Sequence, residues 1–260
     1  GSRPGDLESF FDIELHWNRF SPRATLQTQK HWLEVFSGKN ITINRTHFLL
    51  WGKNYTRPFR LMEASGLQMD SSYGPNRGRG YLFCTALPFH PLDQRGLPFK
   101  INELPFQVQE NWGDATPEFV EKLIRENAKK YHLALVTLYH PHKLMKKEEF
   151  RKKYSEQVEK ARELGLWVTS MKEFKNFWDE RQVADIKSSY KHGILEIDVD
   201  GLNGGLTLAV PAVEMARTYS DGKPVNVFEV ENAGEKMLLI TIPGGRHKIK
   251  VTYHGDQIHP

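Results

Sequence analysis

Histidine is the residue type in this chain that is best placed to do chemistry. His16 and His140 each follow directly after a predicted strand, His47 lies at the end of a third, and His142 comes two residues after His140. Parallel α/β barrels carry their working groups at the carboxyl ends of strands, and a neutral imidazole binds metal ions and transfers protons near neutral pH. These residues are therefore candidates for metal binding or acid–base catalysis. Because the chain has 11 histidines, any one of them taken alone is more often a structural or surface residue.

The elements that must position these histidines alternate between short β-like runs and helical segments. A threonine and a proline at Thr116-Pro117 predict the start of a helix that runs to Lys130. The alternation predicts parallel strands joined by crossover helices. The predicted strands are residues 10–16, 41–48, 68–70, 101–107 and 133–139.

The pattern changes after residue 185, where strands of alternating apolar and polar residues are separated by glycine and proline turns. Such spacing is typical of a small antiparallel sandwich. We therefore predict two domains, an α/β domain over residues 1–185 and a β-sandwich-like domain over residues 186–260. The clearest strands of the second domain are residues 193–199, 226–230, 237–242 and 247–253.

The composition is that of a folded globular protein. Apolar residues make up 39% and charged residues 26% of the 260 residues, far from the signature of disorder, and no stretch approaches the roughly 18 apolar residues of a membrane-spanning helix. The single cysteine, Cys84, excludes an internal disulfide and a multi-cysteine metal site. The net charge of +4 comes largely from residues 143–160, where lysines alternate with glutamates as on a solvated helix rather than a nucleic-acid patch.

An ordered set of motifs between about residues 10 and 181 resembles the polysaccharide deacetylase family. Each motif alone is weakly specific, whereas their order and spacing together are moderately specific. The motifs are residues 11–16 (FDIELH), 44–51 (NRTHFLLW), 61–74 (LMEASGLQMDSSYG), 80–81 (GY), 102–106 (NELPF), 138–140 (LYH) and 165–171 (GLWVTSM). The resemblance implies a partial or distorted (β/α) barrel over the first domain, and it does not extend to the β domain.

The resemblance also implies an activity, the removal of acetyl groups from a polysaccharide with the help of a bound divalent metal, with zinc as the expected ion. In such a reaction the metal activates a water, a carboxylate takes its proton and a histidine protonates the leaving group. The implied location is secreted or in the cell envelope. The implied roles are metal ligand for His16, with His47 as the second candidate ligand, general acid for His140, and carboxylate-orienting arginine for Arg45.

Four further residues complete the expected site. By the same resemblance Asp70 supports Arg45, and Leu138 lines the acetyl pocket. Exposed aromatic planes are surfaces against which sugar rings pack, although most loop aromatics are structural. Of the aromatic residues in or beside predicted loops, Trp51 and Tyr81 are the candidates for substrate binding.

The match breaks at the acidic motif that supplies the family's catalytic base. Neither Asp6 nor Asp12 fits the expected pair of aspartates, Phe20 replaces a second metal-binding histidine, and Leu82 replaces an arginine. Either the strands upstream are not represented in this chain, or the protein is a degenerate deacetylase that has lost its chemistry. An incomplete barrel would expose strand edges, so the β domain, a partner or a missing segment would have to cover them.

Three functional hypotheses follow from these observations. The first is an active esterase, the second a non-catalytic glycan-binding or scaffold module on the same fold, and the third a structural element whose β domain recognises a partner. Whether the chain is an enzyme stays open at this point.

Overall fold

The computed structural model has a mixed α/β fold, which confirms the coarser part of the fold prediction. The chain divides into two compact units, Gly1–Ala128 with His132–Lys172, and Lys129–Tyr131 with Glu173–Pro260. The residues that the structure describes are 12–21, 24–49, 54–75, 80–82, 85–109, 116–202, 204–213, 216–232 and 234–253.

The strands of the first unit are parallel and very short. Strands β1 (Ile43–Asn44), β2 (Met69–Asp70) and β3 (Asn102–Glu103) form one sheet in that order, and Leu15 adds a parallel bridge beside Asn44. Strands β4 (Val108–Gln109) and β5 (Thr137–Leu138) form a second parallel pair. Within the described residues these strands do not close into a barrel.

Two helices cover the first sheet through a common apolar core. Helix α1 (Leu26–Ser37) begins where the Thr25 side chain accepts a hydrogen bond from the Thr28 backbone N–H, and it ends at Gly38, whose φ of 70° is the left-handed conformation that glycine adopts easily. Helix α2 (Thr56–Ala64) follows β1. The buried core contains Leu15, Trp17, Leu26, Ile41, Phe59, Met62, Leu67, Phe99 and Ile101.

The helix predicted at Thr116-Pro117 is confirmed. Helix α3 (Pro117–Glu126) continues into a π-helical turn (Asn127–Tyr131), and the Thr116 hydroxyl accepts a hydrogen bond from the Phe119 N–H. Helix α4 (Pro141–Lys146) follows β5, and helix α5 (Glu148–Glu163) comes next. No residue of α5 is buried and its lysines pair with glutamates one turn away, as expected of a solvated helix.

The strands predicted for residues 101–107 and 133–139 are shorter than expected, and a glutamine side chain shows why. The Gln107 N–H donates to the Val136 carbonyl at 3.0 Å, while the Val136 N–H donates to the side-chain Oε1 of Gln107 at 2.7 Å. A side-chain acceptor thus replaces the backbone carbonyl that would accept from the Val136 N–H in a regular sheet, so that regular pairing between β4 and β5 starts one residue later.

The second unit contains two antiparallel sheets that share one core. Helix α6 (Met171–Val183) leads into β6 (Asp185–Lys191). One sheet has the order β10-β9-β13-β7-β6 and the other the order β11-β12-β8. Buried residues from both sheets, among them Val199, Ile240 and Val251, form a single apolar cluster. The remaining strands are β7 (Ile194–Leu202), β8 (Leu206–Pro211), β9 (Arg217–Ser220), β10 (Lys223–Pro224), β11 (Val227–Asn232), β12 (Glu235–Ile242) and β13 (Gly245–Thr252).

Across the described ranges, no helix has both the length and the apolar character needed to cross a membrane.

Candidate functional site

The segment that carries His16 runs parallel to β1 and thereby brings two predicted metal ligands to one edge. The Leu15 N–H donates to the Ile43 carbonyl at 3.1 Å, and the His47 N–H donates to the Trp17 carbonyl at 2.8 Å. Leu15 and Trp17 are buried in the core that α1 and α2 cover. Because side chains alternate along an extended chain, His16 projects from the opposite face.

His16 and His47 are in direct contact there. The Nε2 of His16 lies 3.0 Å from the Nδ1 of His47, and the rings meet edge to face at an interplanar angle of 86°. A hydrogen bond of this length between two imidazoles requires that one nitrogen donates and the other accepts. Although His16 keeps exposed surface, desolvation of its ring lowers the pKa of His16, and the nearby His47 lowers it further. Both effects favour the neutral form that binds metals.

His140 belongs to the same region of the molecule. It is half-buried directly after β5 and precedes Pro141, the first residue of α4. Its ring centre lies 5.6 Å from that of His142. The charge of His140 is close enough to His16 to contribute to the lowering of the pKa of His16. The contact between His16 and His47, together with this interaction of His140, makes the three histidines a candidate site.

The turn after His47 has an unusual backbone. Phe48 and Leu49 have φ values of 61° and 51°, in the left-handed region that bulky side chains rarely adopt. Leu49 is buried, whereas 66% of Phe48 is exposed, and its ring centre lies 4.1 Å from that of His47. Phe20 is also exposed and meets Phe48 edge to face. Backbone strain of this kind is concentrated at functional sites.

Arg45 is held in place by two hydrogen bonds to Ser71. Its Nε donates to the Ser71 carbonyl at 2.9 Å and its Nη2 donates to the Ser71 hydroxyl at 2.8 Å. Asp70 and Glu103 act on Arg45 through their charges. The guanidinium is therefore fixed in position between the histidines and two acidic residues.

Asp70 lies at the centre of a buried polar network. Its Oδ1 accepts hydrogen bonds from the Asn44 side-chain amide at 2.7 Å and from the Ser72 hydroxyl at 2.9 Å. Asn44 in turn accepts from the Trp17 N–H at 3.1 Å. Burial raises the pKa of Asp70, an effect that these hydrogen bonds and Arg45 oppose. Through this network Asp70 ties β1, β2 and the His16 segment together.

The candidate substrate-binding residues are placed differently from one another. Leu138 is buried against Leu49 and Phe106, directly before the turn to His140. Tyr81 is half-buried and packs against the cluster around Val108 and Val120. Trp51 lies outside the described residues, and the substrate-binding roles of Tyr81 and Trp51 stay predictions.

The Nε2 of His16 and the Nδ1 of His47 are imidazole nitrogens, a ligand type that divalent metals use. They are hydrogen-bonded to each other at 3.0 Å, so both could bind one ion only after the proton between them is lost and the two rings turn toward the ion. The part of the chain that the structure describes contains no group of three or more histidine, cysteine, aspartate or glutamate residues arranged to hold a metal. Further ligands would have to be water, substrate or residues outside that part.

Sequence reasoning missed Glu103 and Ser71. Glu103 is fully buried beside Asp70, and Ser71 fixes Arg45. The one available signal was a glutamate inside an otherwise apolar strand, since a charged residue in such a run needs a partner. The sequence does not reveal which partner, because that depends on strand register.

Comparison of the chain with models of known families, with curated proteins and with solved structures finds no significant match.

Proposed function

We propose that this chain is a metal-dependent carbohydrate esterase that removes acetyl groups from a polysaccharide, on an incomplete (β/α) barrel of the polysaccharide deacetylase type. The observation that carries the proposal is the 3.0 Å approach of His16 to His47 at the ends of neighbouring parallel strands, with His140 nearby. The parallel order of Leu15, β1, β2 and β3 supports the barrel. A polymeric substrate outside the cell implies a secreted or cell-envelope location.

His16 and His47 would hold the ion, with zinc as the first candidate. A bound divalent metal polarises the acetyl carbonyl and lowers the pKa of a bound water. His140, half-buried at the start of α4, donates a proton to the leaving amine or alcohol. Arg45, fixed by Ser71, supplies a permanent positive charge, and the buried Leu138 provides an apolar wall.

A second candidate function is a non-catalytic glycan-binding module. Asp70 and Glu103 are both fully buried, so neither presents a carboxylate to a water molecule. Phe20 and Phe48 offer exposed rings beside the histidine pair, and sugar rings pack on such surfaces. The two functions share the same surface and differ in whether bound glycan is turned over.

The experiment that separates them is a deacetylation assay on soluble acetylated oligosaccharides with zinc-loaded protein. The variant is His140→Ala, and the control is His31→Ala, which removes an exposed histidine on α1. Hydrolysis that is lost only in His140→Ala supports the esterase. Saturable binding without acetate release by the wild type supports the glycan-binding module instead.

A further inference from the structure

Asp70 and Glu103 face each other inside the first unit. They are register partners on the parallel strands β2 and β3, and the exposed fraction of each side chain is 0%. Both belong to short strands whose neighbouring residues are also buried. Two buried carboxyl groups at adjacent positions of a sheet repel each other when both are ionised, so we expect at least one of them to hold a proton.

The donors around the two carboxyl groups are unevenly distributed. Asp70 Oδ1 accepts hydrogen bonds from the Asn44 side-chain amide and from the Ser72 hydroxyl. Glu103 Oε1 accepts one hydrogen bond, from the Tyr73 N–H at 2.7 Å. The second oxygens, Asp70 Oδ2 and Glu103 Oε2, are buried and have no hydrogen-bond partner among the described residues. They belong to register partners on β2 and β3, so each is placed to be satisfied by the other. A hydrogen bond between two carboxyl groups needs a proton on one of them.

The charge balance of the cluster also favours one proton on the two carboxyl groups. The charged group that faces the pair is Arg45, and the other titratable group is Tyr73, which is neutral because burial and the two acids raise its pKa. Two carboxylates and one guanidinium would leave an uncompensated negative charge in the core, which is costly. With a single proton the cluster is neutral. Asp70 accepts two side-chain hydrogen bonds and Glu103 one from the backbone, so the negative charge is better satisfied on Asp70 and the proton lies on Glu103. Burial raises the pKa of Glu103 well above its usual range, which acts in the same direction.

We propose that Asp70 and Glu103 form a singly protonated acid pair whose one negative charge holds Arg45 beside the histidine pair. Glu103 is thereby a positioning residue that acts through Asp70 and Arg45. The link to catalysis rests on the proposed function, whereas the acid pair itself does not.

Three variants distinguish the effect of the proton on Glu103 from the effect of the negative charge on Asp70. Glu103→Gln replaces the protonated acid by an amide whose N–H₂ can donate to Asp70 Oδ2, so Arg45 keeps its counter-charge. Glu103→Ala removes that donor and leaves the buried Asp70 Oδ2 unsatisfied. The double variant Asp70→Asn/Glu103→Gln preserves the shapes but removes the negative charge that faces Arg45.

The direct test is infrared spectroscopy of the metal-free protein near neutral pH, which needs neither metal nor substrate. We expect the carboxylic-acid C=O stretch of one protonated side chain in the wild type and its absence in Glu103→Gln. A wild-type spectrum without that band, or a band that persists unchanged in Glu103→Gln, would overturn the acid pair whatever the protein's activity.

The pH dependence of unfolding provides a second test, which needs neither metal nor substrate. Because the folded pKa of Glu103 is raised, the stability that it contributes is present below its unfolded pKa of 4.5 and is lost as the pH rises toward the folded pKa. We expect Glu103→Gln to lose this decline in stability with rising pH. In the deacetylation assay, activity retained in Glu103→Gln and lost in both Glu103→Ala and the double variant identifies a positioning role, and equal loss in all three contradicts it.

Discussion

The Nε2 of His16 lies 3.0 Å from the Nδ1 of His47, although the two residues are 31 positions apart in the sequence. The contact arises because the His16 segment pairs in parallel with β1, so that the ends of both strands reach the same edge. A polar contact between two half-exposed imidazoles contributes little to folding on its own. The proposed function rests on its place beside Arg45, His140 and a strained turn.

Gln107 is predicted to be a structural link between β4 and the segment that leads to His140. Its side chain accepts from the Val136 N–H and donates to the Pro105 carbonyl, both at 2.7 Å, and it is fully buried. Gln107→Ala leaves two buried backbone groups unpaired, so we expect a loss of about 1–3 kcal/mol in the free energy of unfolding. Urea denaturation measures it. Gln109→Ala is the control, since the buried Oε1 of Gln109 has no such partner, and an equal loss in both variants would refute the link.

Gly74 is predicted to be required by the Phe106 ring. A Cβ at Gly74 would collide with the ring atoms of Phe106. Gly74→Ala should therefore destabilise the protein by about 1–3 kcal/mol through overpacking. Gly66→Ala serves as a control, because its cost comes from a φ of 75° in otherwise open space. Phe106→Leu should restore part of the stability lost in Gly74→Ala but none of that lost in Gly66→Ala, as judged from the midpoints of thermal unfolding.

His247 and Asp221 are predicted to stabilise the second unit in a limited pH range. His247 Nδ1 lies 2.7 Å from Asp221 Oδ2, and this hydrogen bond raises the pKa of His247. Hydrogen bonds from the Lys248 N–H and from His247 lower the pKa of Asp221. The contribution of Asp221 is present above its unfolded pKa of 3.8 and lost as the pH falls through the folded value. That of His247 is present below its unfolded pKa of 6.5 and lost as the pH rises through the folded value.

The stabilisation should therefore be largest between these two unfolded values. We expect the thermal midpoint of His247→Gln to differ most from that of the wild type near pH 5.2, roughly midway between the unfolded values of the two groups, and least at alkaline pH. Asp221→Asn keeps the acceptor for the Lys248 N–H and tolerates the left-handed φ of 50°. A difference between wild type and His247→Gln that does not change with pH would mean that the pair is not ionised.

Phe48 is predicted to lower the stability of the fold and to contribute to oligosaccharide binding. Because its φ is 61° and its ring is 66% exposed, Phe48→Gly should raise the free energy of unfolding by about 1 kcal/mol. The same variant should bind oligosaccharide more weakly, since it loses an aromatic surface beside His47. Phe20→Ala should weaken binding without gaining stability. Calorimetric titration with a soluble acetylated oligosaccharide measures both affinities, and unchanged affinity in both variants would exclude these rings from the binding surface.

The sequence was informative where a local pattern decides the structure. The start of α3 followed from Thr116 and Pro117, and the shared edge of His16 and His47 followed from parallel pairing. The lengths of the strands could not be predicted, because a long apolar run has the same pattern whether or not all of it pairs. Residues 133–139 are an example. Strand β6 has seven exposed residues and no apolar alternation to indicate it. Glu103 was missed because its partner depends on the register between β2 and β3.

The most direct test of the central claim is the zinc content of the full chain after incubation with the ion and removal of excess by dialysis. The account predicts close to one ion per chain in the wild type, loss of that ion in His16→Ala and in His47→Ala, and retention in His31→Ala, which removes an exposed histidine on α1. A wild type that binds no zinc, or variants at His16 and His47 that keep it, would contradict a metal site at this edge.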